Sequence, residues 1–223
     1  MHVVGLSRRA APDADEHEPC DVGDRDAVAA VAARVLERHP RIDLLANNAG
    51  LGARARFLDA DEQRIEDVLR TNYLGSVWCT RAFLPGLVPG SRIVNVVSIA
   101  GTVALGPYSA SKHAQLAFSR SVAVELGRRG VAVHTVLPGF VETPGFPQRV
   151  RFGPLARRLV VDPPFVAARI LDALDHDRRE IVVPRWYRPA AWAQALFPGA
   201  VARLGIGRGE VRRPRRDARG RLS

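Results

Sequence analysis

At 223 residues, with 47% hydrophobic and 25% charged residues, the chain has the size and composition of one globular domain. The net charge of +10 is uneven: residues 203–223 hold eight arginines and two acids, which leaves +4 for the preceding 202 residues. That balance gives no reason to expect a specific nucleic-acid partner. We find no signal peptide and no apolar run long enough to span a bilayer, and the two cysteines lack metal-ligand or disulfide spacing. We therefore expect a cytoplasmic protein without a metal site.

Short apolar runs rich in β-branched residues alternate along the chain with longer segments of helical periodicity. Strands are predicted at residues 2–6, 42–46, 93–97, 131–137 and 181–183, and helices at residues 24–39, 61–69, 71–87, 108–128 and 163–174. Strands separated by helices of this length indicate βαβ units, and so a doubly wound α/β fold with a parallel sheet covered on both faces. Ligands of such sheets bind beyond the carboxyl ends of the strands.

The sequence after the last predicted strand changes in character. We predict a domain over residues 1–184, a short apolar helical segment over residues 185–204, and an arginine-rich disordered tail over residues 205–223. The apolar segment carries Trp186 and Trp192 beside basic residues and is too short to cross a bilayer. Two interpretations stay open for it: a helix that packs on the sheet or against a second subunit, and weak peripheral contact with a membrane interface.

Lys112 is the only lysine in a chain with 32 arginines, and it follows Tyr108 by four residues in Y-S-A-S-K. Residues at this spacing lie on one face of a helix, so the ammonium lies beside the phenol. A neighbouring positive charge favours the phenolate, whose ordinary pKa is too high for a base at neutral pH. The pair therefore predicts a general acid/base, and the alternative is a solvated surface lysine.

Polar or turn-forming residues follow three of the predicted strands, namely Asn47, Ser98 and Pro138. Tyr108 begins the helix that follows Ser98, so these residues are expected at one rim of the sheet. A carbonyl that accepts a hydride gains negative charge on its oxygen, and a proton donor and a hydrogen-bond donor must converge there. Tyr108 and Ser98 can supply those two donors.

With N-N-A-G after one strand, Ser98 after the next, Y-S-A-S-K ten residues later and P-G-F-V-E-T-P after the following strand, the chain resembles the short-chain dehydrogenase/reductase family over about residues 3–184. The resemblance implies a Rossmann-like domain that transfers a hydride between a nicotinamide cofactor and a carbonyl or alcohol. It implies that Tyr108 is the acid/base and that Lys112 lowers its pKa and holds the nicotinamide ribose. Ser98 would bind the substrate oxygen, and Asn72 would position a water in a proton relay.

The resemblance also implies a set of cofactor-binding residues. Besides Tyr108 and Lys112, these are Asn47, Ala49 and Gly50 along the adenosine side, Asp21 with Val22 near the adenine, and Pro138, Gly139 and Thr143 beside the nicotinamide. Arg8 follows the first predicted strand, where an acid would suit NAD and an arginine suits the 2′-phosphate of NADP. We therefore predict NADP, with NAD as the alternative.

The chain departs from the family pattern at its start, because the expected T-G-x-x-x-G-x-G turn is absent. It begins at what would be the family's second strand, which leaves a strand missing from mid-sheet and backbone groups unpaired. One explanation is a truncated start of a complete enzyme. The other is a degenerate copy that serves as a non-catalytic binding or scaffold protein.

The substrate is predicted to be a small hydrophobic ketone, aldehyde or alcohol. This rests on apolar residues around the expected site: Val103, Ala104, Leu105, Phe140, Phe146 and Phe152. Four arginines nearby, Arg149, Arg151, Arg157 and Arg158, would instead suit an anionic substrate carrier. We also expect a homo-oligomer.

Overall fold

A computed structural model describes residues 1–52, 56–103, 106–143, 147–149, 156–197 and 199–200. The chain divides into two compact units, residues 1–188 and residues 189–223. All of the strands in the described residues belong to the first unit. The described part of the second unit is mainly the continuation of a helix that ends at Leu196.

The first unit alternates strands and helices. The strands are β1 (Val4–Ser7), β2 (Glu16–Pro19), β3 (Leu44–Asn47), β4 (Arg92–Val96), β5 (Ala132–Pro138) and β6 (Glu180–Val183). Its α-helices are α1 (Arg25–Arg38), α2 (Glu62–Leu69), α3 (Gly75–Phe83), α4 (Gly106–Gly127) and α5 (Pro163–Asp175), whereas α6 (Arg188–Leu196) belongs to the second unit except for its first residue. The five predicted strands are present with shifted ends. The helix predicted at residues 71–87 is instead a π-helical turn (Arg70–Leu74), then α3, then a 3₁₀ turn (Leu84–Gly86).

Both faces of the larger sheet are covered, as a doubly wound fold requires. Successive side chains of a strand point to opposite faces. Ile93 of β4 accordingly packs in a cluster with Leu126 of α4, and its neighbour Val94 packs in a cluster with Val166 of α5. The predicted α/β fold class is confirmed.

The strands are all parallel, but they form two sheets rather than one. β1 pairs with β2, and β3, β4, β5 and β6 pair in that order. A cavity of about 690 Å³ lies between β1 and β3 and is lined by residues of both strands, among them Leu6 and Leu45. The predicted single sheet is therefore interrupted between β1 and β3.

β2 is a strand that sequence patterning did not predict, because its residues E-H-E-P lack an apolar alternation. Charged contacts with α1 hold it in place instead. Arg34 and Arg38 both donate to Glu18, with distances of 2.8 and 2.7 Å. Glu16 accepts from His2 and His39, whose hydrogen bonds lower the pKa of its carboxyl to about 2. No metal site was predicted. His2, Glu16 and His39 nevertheless each place one possible metal-ligand atom within 4.8 Å of the others.

Within the described residues, no helix has the length and apolar character needed to cross a membrane.

Candidate active site

Ser98 stands two residues beyond the carboxyl end of β4, where it begins a 3₁₀ turn (Ile99–Thr102). Its Oγ accepts a hydrogen bond from the Ala100 N–H at 3.1 Å and donates to the Pro138 carbonyl at 3.4 Å. The side chain is only 8% exposed. The turn and the end of β5 together fix the direction of the Ser98 hydroxyl.

Tyr108 is the third residue of α4, and its side chain is half-buried. Burial raises the pKa of the Tyr108 phenol, and the nearby Ser98 hydroxyl acts in the opposite direction. The phenol is therefore held in its protonated form near neutral pH, which suits a group that gives a proton to a substrate oxygen. The lowering of the Tyr108 pKa that was expected from Lys112 is not found, because burial outweighs the opposing effect of Ser98 and the pKa is raised.

Lys112 lies one turn along α4, with its Nζ 5.9 Å from the centroid of the Tyr108 ring. Its ammonium donates to the Val96 carbonyl at 3.1 Å and to Gln115 Oε1 at 2.8 Å. Burial lowers the pKa of the Lys112 ammonium to about 7. Lys112 is only 4% exposed, so the interpretation as a solvated surface lysine is wrong.

Asn72 is fully buried in the π-helical turn, a feature that is frequent at functional sites. Its Oδ1 accepts from the Leu51 N–H at 2.7 Å, and its Nδ2 donates to the Leu51 carbonyl at 2.9 Å. A Cβ added to Gly50 would lie 3.3 Å from Asn72 Oδ1 and 3.7 Å from Lys112 Nζ. The glycine of N-N-A-G therefore keeps open a space that Asn72 and Lys112 both border.

That open space is the structural observation bearing on the implied cofactor. A ribose needs hydrogen-bond partners at its hydroxyls, and two of the three Lys112 donors are used within the described residues, which leaves one. The residues present thus fit the nicotinamide ribose. For the pyrophosphate, the sequence offers no glycine-rich turn between a strand and a helix.

A polar seam, defined by three residues of α4 and three of the facing helical segment, runs away from this site. Its members are Ser111, Gln115 and Ser119 on α4, and Asn72, Ser76 and Thr80 on the other side; all six are buried. Asn72 Nδ2 donates to Ser111 Oγ at 2.9 Å, and Gln115 Nε2 donates to Ser76 Oγ at 2.8 Å. Sequence reasoning missed this seam, although its signal, polar residues every four positions on two helices, is present in the sequence.

The predicted cofactor residue Asn47 uses its amide inside the protein. Asn47 Nδ2 donates to Thr80 Oγ1 at 3.1 Å and to Asn95 Oδ1 at 2.8 Å, and Asn95 Nδ2 donates to Ser119 Oγ at 2.8 Å. These bonds tie β3 and β4 to the polar seam. Ala49 and Gly50 are exposed beyond the end of β3.

Arg8 and Asp21 come together beyond the ends of β1 and β2. Arg8 Nη1 lies 3.6 Å from Asp21 Oδ2, and Asp21 Oδ1 accepts from the Gly23 N–H at 2.8 Å. Both line a polar cavity of about 260 Å³ that also includes Leu51, the partner of Asn72. Val22 borders the larger cavity between the two sheets instead.

Pro138 ends β5, and Gly139 donates its N–H to the Val183 carbonyl at 2.8 Å. A Cβ on Gly139 would collide with the Tyr187 ring, so any other residue here requires that ring to move. Thr143 is half-buried and is followed by residues outside the described ranges. Of the predicted apolar substrate contacts, Ala104, Leu105, Phe146 and Phe152 also lie outside those ranges, whereas Val103 and Phe140 lie within them.

The fold and the site define a class, the α/β domains that bind dinucleotides beyond the strand ends. Within that class, the chain belongs to the short-chain dehydrogenase family, whose family model, described as short chain dehydrogenase, matches residues 9–151. The predicted family is confirmed. The identity of the chain's own substrate is a separate question.

Individual relatives agree with this assignment. The chain is 30% identical over 216 residues to "Dehydrogenase/reductase SDR family member 7B" of Bos taurus, covering 89% of this chain and 66% of that protein. It is 38% identical over 144 residues to a candidate ketoacyl reductase of Streptomyces coelicolor, covering 61% of this chain and 55% of that protein. The chain therefore spans only about 55–66% of the length of these relatives.

Solved structures show the same fold. A short-chain dehydrogenase from Burkholderia cenocepacia in complex with NADP superimposes with a TM-score of 0.76 at 28% identity, covering 91% of this chain and 86% of that one. A short-chain dehydrogenase from Streptomyces avermitilis gives a TM-score of 0.72 at 27% identity, covering 93% and 89%.

Proposed function

We propose that the protein is an NADP-dependent oxidoreductase that interconverts a small hydrophobic carbonyl compound and its alcohol. The observation that carries this proposal is the position of Tyr108, whose phenol pKa responds to the Ser98 hydroxyl and whose ring lies 5.9 Å from the Lys112 Nζ one helical turn away. Two hydroxyl groups on neighbouring segments suit an oxygen that gains charge. Family membership supports the same reaction class.

In the direction of reduction, Tyr108 gives its proton to the carbonyl oxygen as the C–O double bond becomes a single bond. Ser98 stabilises the charge on that oxygen once its hydroxyl proton turns from the Pro138 carbonyl, a long contact of 3.4 Å, toward the substrate. The nicotinamide cofactor, when bound, supplies the hydride that forms the new C–H bond. Lys112 would hold the ribose hydroxyls of the cofactor, and Asn72 borders the same space.

The preference for NADP rests on Arg8. No acid directly follows β1, where the sequence reads S-R-R, and Arg8 faces a polar cavity with Asp21. A guanidinium in this place suits a 2′-phosphate. The solved relative from Burkholderia cenocepacia binds NADP. Arg8→Ala should lower kcat/KM for NADPH more than for NADH, with Arg9→Ala as the matched control.

The substrate proposal is supported by Phe140, which is 38% exposed and packs edge-on against Tyr187 beyond the end of β5. An apolar wall at this place suits an aliphatic or aromatic ketone. We test it with a panel of hydrophobic ketones and aldehydes, following the loss of NADPH absorbance. Turnover that disappears in Tyr108→Phe supports the proposal, and turnover that persists in Tyr108→Phe contradicts it.

A second candidate function, a non-catalytic binding or scaffold role, is favoured by one observation. Among the described residues, the interruption between β1 and β3 leaves two strand edges unpaired beside a cavity. Calorimetric titration with NADPH and NADH separates the two proposals. Binding of neither cofactor favours the scaffold role, and binding with turnover excludes it.

We further propose that the protein acts in the cytoplasm as a homo-oligomer. Cys20 and Cys79 are both unpaired and buried, which suits a reducing compartment. Light scattering after size exclusion measures the mass of the particle, and a monomer would contradict the second part. Contact of residues 185–204 with membranes stays a prediction that flotation with anionic liposomes tests.

A further inference from the structure

We propose that Gln115, oriented by Ser76, is a positioning residue that holds the Lys112 ammonium at the active site and links it to the turn containing Asn72. This inference rests on the proposed function for its kinetic consequences. The position that it assigns to Lys112 rests only on the hydrogen bonds of the polar seam. Neither Gln115 nor Ser76 was among the residues that the sequence motifs singled out.

The hydrogen bonds allow only one orientation of the Gln115 amide. Ser76 Oγ donates its proton to the Asn72 carbonyl at 3.2 Å, so toward Gln115 the hydroxyl can only accept. Gln115 must therefore present its NH₂ group to Ser76, at 2.8 Å, and its carbonyl oxygen to Lys112, also at 2.8 Å. A protonated lysine only donates, so the arrangement is consistent at every atom.

The same contacts make a closed ring between two helical segments. From Lys112 the chain of hydrogen bonds runs through Gln115 and Ser76 to the Asn72 carbonyl. It returns from Asn72 Nδ2 to Ser111 Oγ, which donates to the Tyr108 carbonyl at 2.7 Å. Because Tyr108, Ser111, Lys112 and Gln115 all belong to α4, the ring fixes Lys112 relative to both Tyr108 and Asn72.

Burial makes the Gln115 carbonyl important for the charge on Lys112. Gln115 and Asn72 are 0% exposed, and Lys112 is 4% exposed. The groups that face Lys112 are Tyr108 from α4, the Val96 carbonyl from β4, and Gly50 beyond β3. Burial is the cause of its lowered pKa, and none of its partners in the described residues is a carboxylate. Two carbonyl dipoles, from Val96 and Gln115, are thus the acceptors that stabilise the ammonium.

The single lysine of the chain allows a direct test, because protein labelled with ¹³C-lysine gives one set of side-chain signals. NMR titration of that signal measures the Lys112 pKa without any turnover. Gln115→Met keeps the volume and removes the acceptor, so the Lys112 pKa should fall by about one unit or more. Gln115→Glu places a carboxylate against the ammonium and should raise the pKa.

Gln63 provides the matched control, because it is an exposed glutamine on α2 and Gln63→Met makes the same chemical change. The Lys112 pKa measured in Gln63→Met should match that of the wild type. Ser76→Ala frees the Gln115 amide to rotate and should lower the Lys112 pKa, by less than Gln115→Met. If Gln115→Met does not fold, the Gln115→Glu and Ser76→Ala titrations decide the matter. A Lys112 pKa that stays unchanged in the folded Gln115 and Ser76 variants overturns the proposal.

Kinetics then separate this inference from the proposed function. If the wild type turns over NADPH, the pH profile of kcat/KM should move in Gln115→Met in the same direction as the Lys112 pKa, and stay in place in Gln63→Met. A shifted Lys112 pKa without turnover in any variant upholds the positioning role and contradicts the enzymatic function. Turnover by the wild type together with an unchanged Lys112 pKa in the variants upholds the enzymatic function and contradicts the positioning role.

Discussion

Replacing Lys112 with methionine should change how the stability of the protein depends on pH. The ordinary lysine pKa of 10.5 applies to the unfolded chain, whereas burial lowers the Lys112 pKa to about 7 in the folded state. Between these two values the unfolded chain keeps a proton that the folded protein has lost. The contribution of Lys112 to stability is therefore most favourable above pH 10.5, and it is lost as pH falls to about 7.

The size of the effect follows from the two pKa values. Each pKa unit corresponds to about 1.36 kcal/mol, so raising pH by about two units above the folded pKa, to about pH 9, stabilises the wild type by about 2.7 kcal/mol relative to pH 6. Methionine does not titrate, so Lys112→Met lacks this gain. For a protein of this size, the gain corresponds to roughly 5–10 °C in Tm.

Urea unfolding at pH 6 and pH 9, followed by circular dichroism, measures the effect. The difference in unfolding free energy between wild type and Lys112→Met should rise with pH, because all other titrating groups are shared and cancel. Gln63→Met should show no pH-dependent difference from wild type. A difference for Lys112→Met that is flat within about 0.5 kcal/mol, or that falls with pH, would refute the assigned burial of the ammonium.

Three further substitutions test other parts of the site. Ser98→Ala removes the hydroxyl and should lower kcat about 10²- to 10³-fold in steady-state assays, with little change in Tm. An unaltered kcat argues against its role. Gly50→Ala should weaken NADPH affinity in calorimetry, since the added Cβ lies 3.3 Å from Asn72 Oδ1. Gly101→Ala places a Cβ 2.8 Å from the Lys112 carbonyl oxygen and should lower stability by about 1–3 kcal/mol. Unchanged affinity or stability in these two variants would show that the close packing is relieved elsewhere.

The residues that could be predicted from sequence are those whose positions are set by local geometry. Tyr108 and Lys112 are one helical turn apart, and Ser98 directly follows an apolar strand, so helix periodicity and the strand end suffice to bring them to one rim. The strands with continuous apolar runs could also be predicted, because their apolar residues are neighbours along the chain. The roles assigned to these residues stay predictions until the variants are measured.

The features that were missed depend on partners distant in sequence. β2 carries no apolar pattern, because Glu16 and Glu18 are held by arginines and histidines elsewhere in the chain. β1 and β3 do not pair with each other, because they lie in separate sheets. Strand order depends on pairing between distant segments, so local patterns do not predict it. Gln115 is buried only because Ser76, 39 residues earlier, meets it across the helix contact. A glutamine on a helix otherwise predicts a solvent-facing position.

The central claim is that Ser98, Tyr108 and Lys112 form a site for hydride transfer between a nicotinamide and a carbonyl carbon. NADPH deuterated on the transferred position of its nicotinamide ring, incubated with the protein and a hydrophobic ketone, tests it directly. Mass spectrometry of the alcohol should find deuterium on the carbinol carbon with wild type and with Gln63→Met, and none with Tyr108→Phe. Alcohol that lacks the deuterium, or equal labelling with Tyr108→Phe, would contradict the claim.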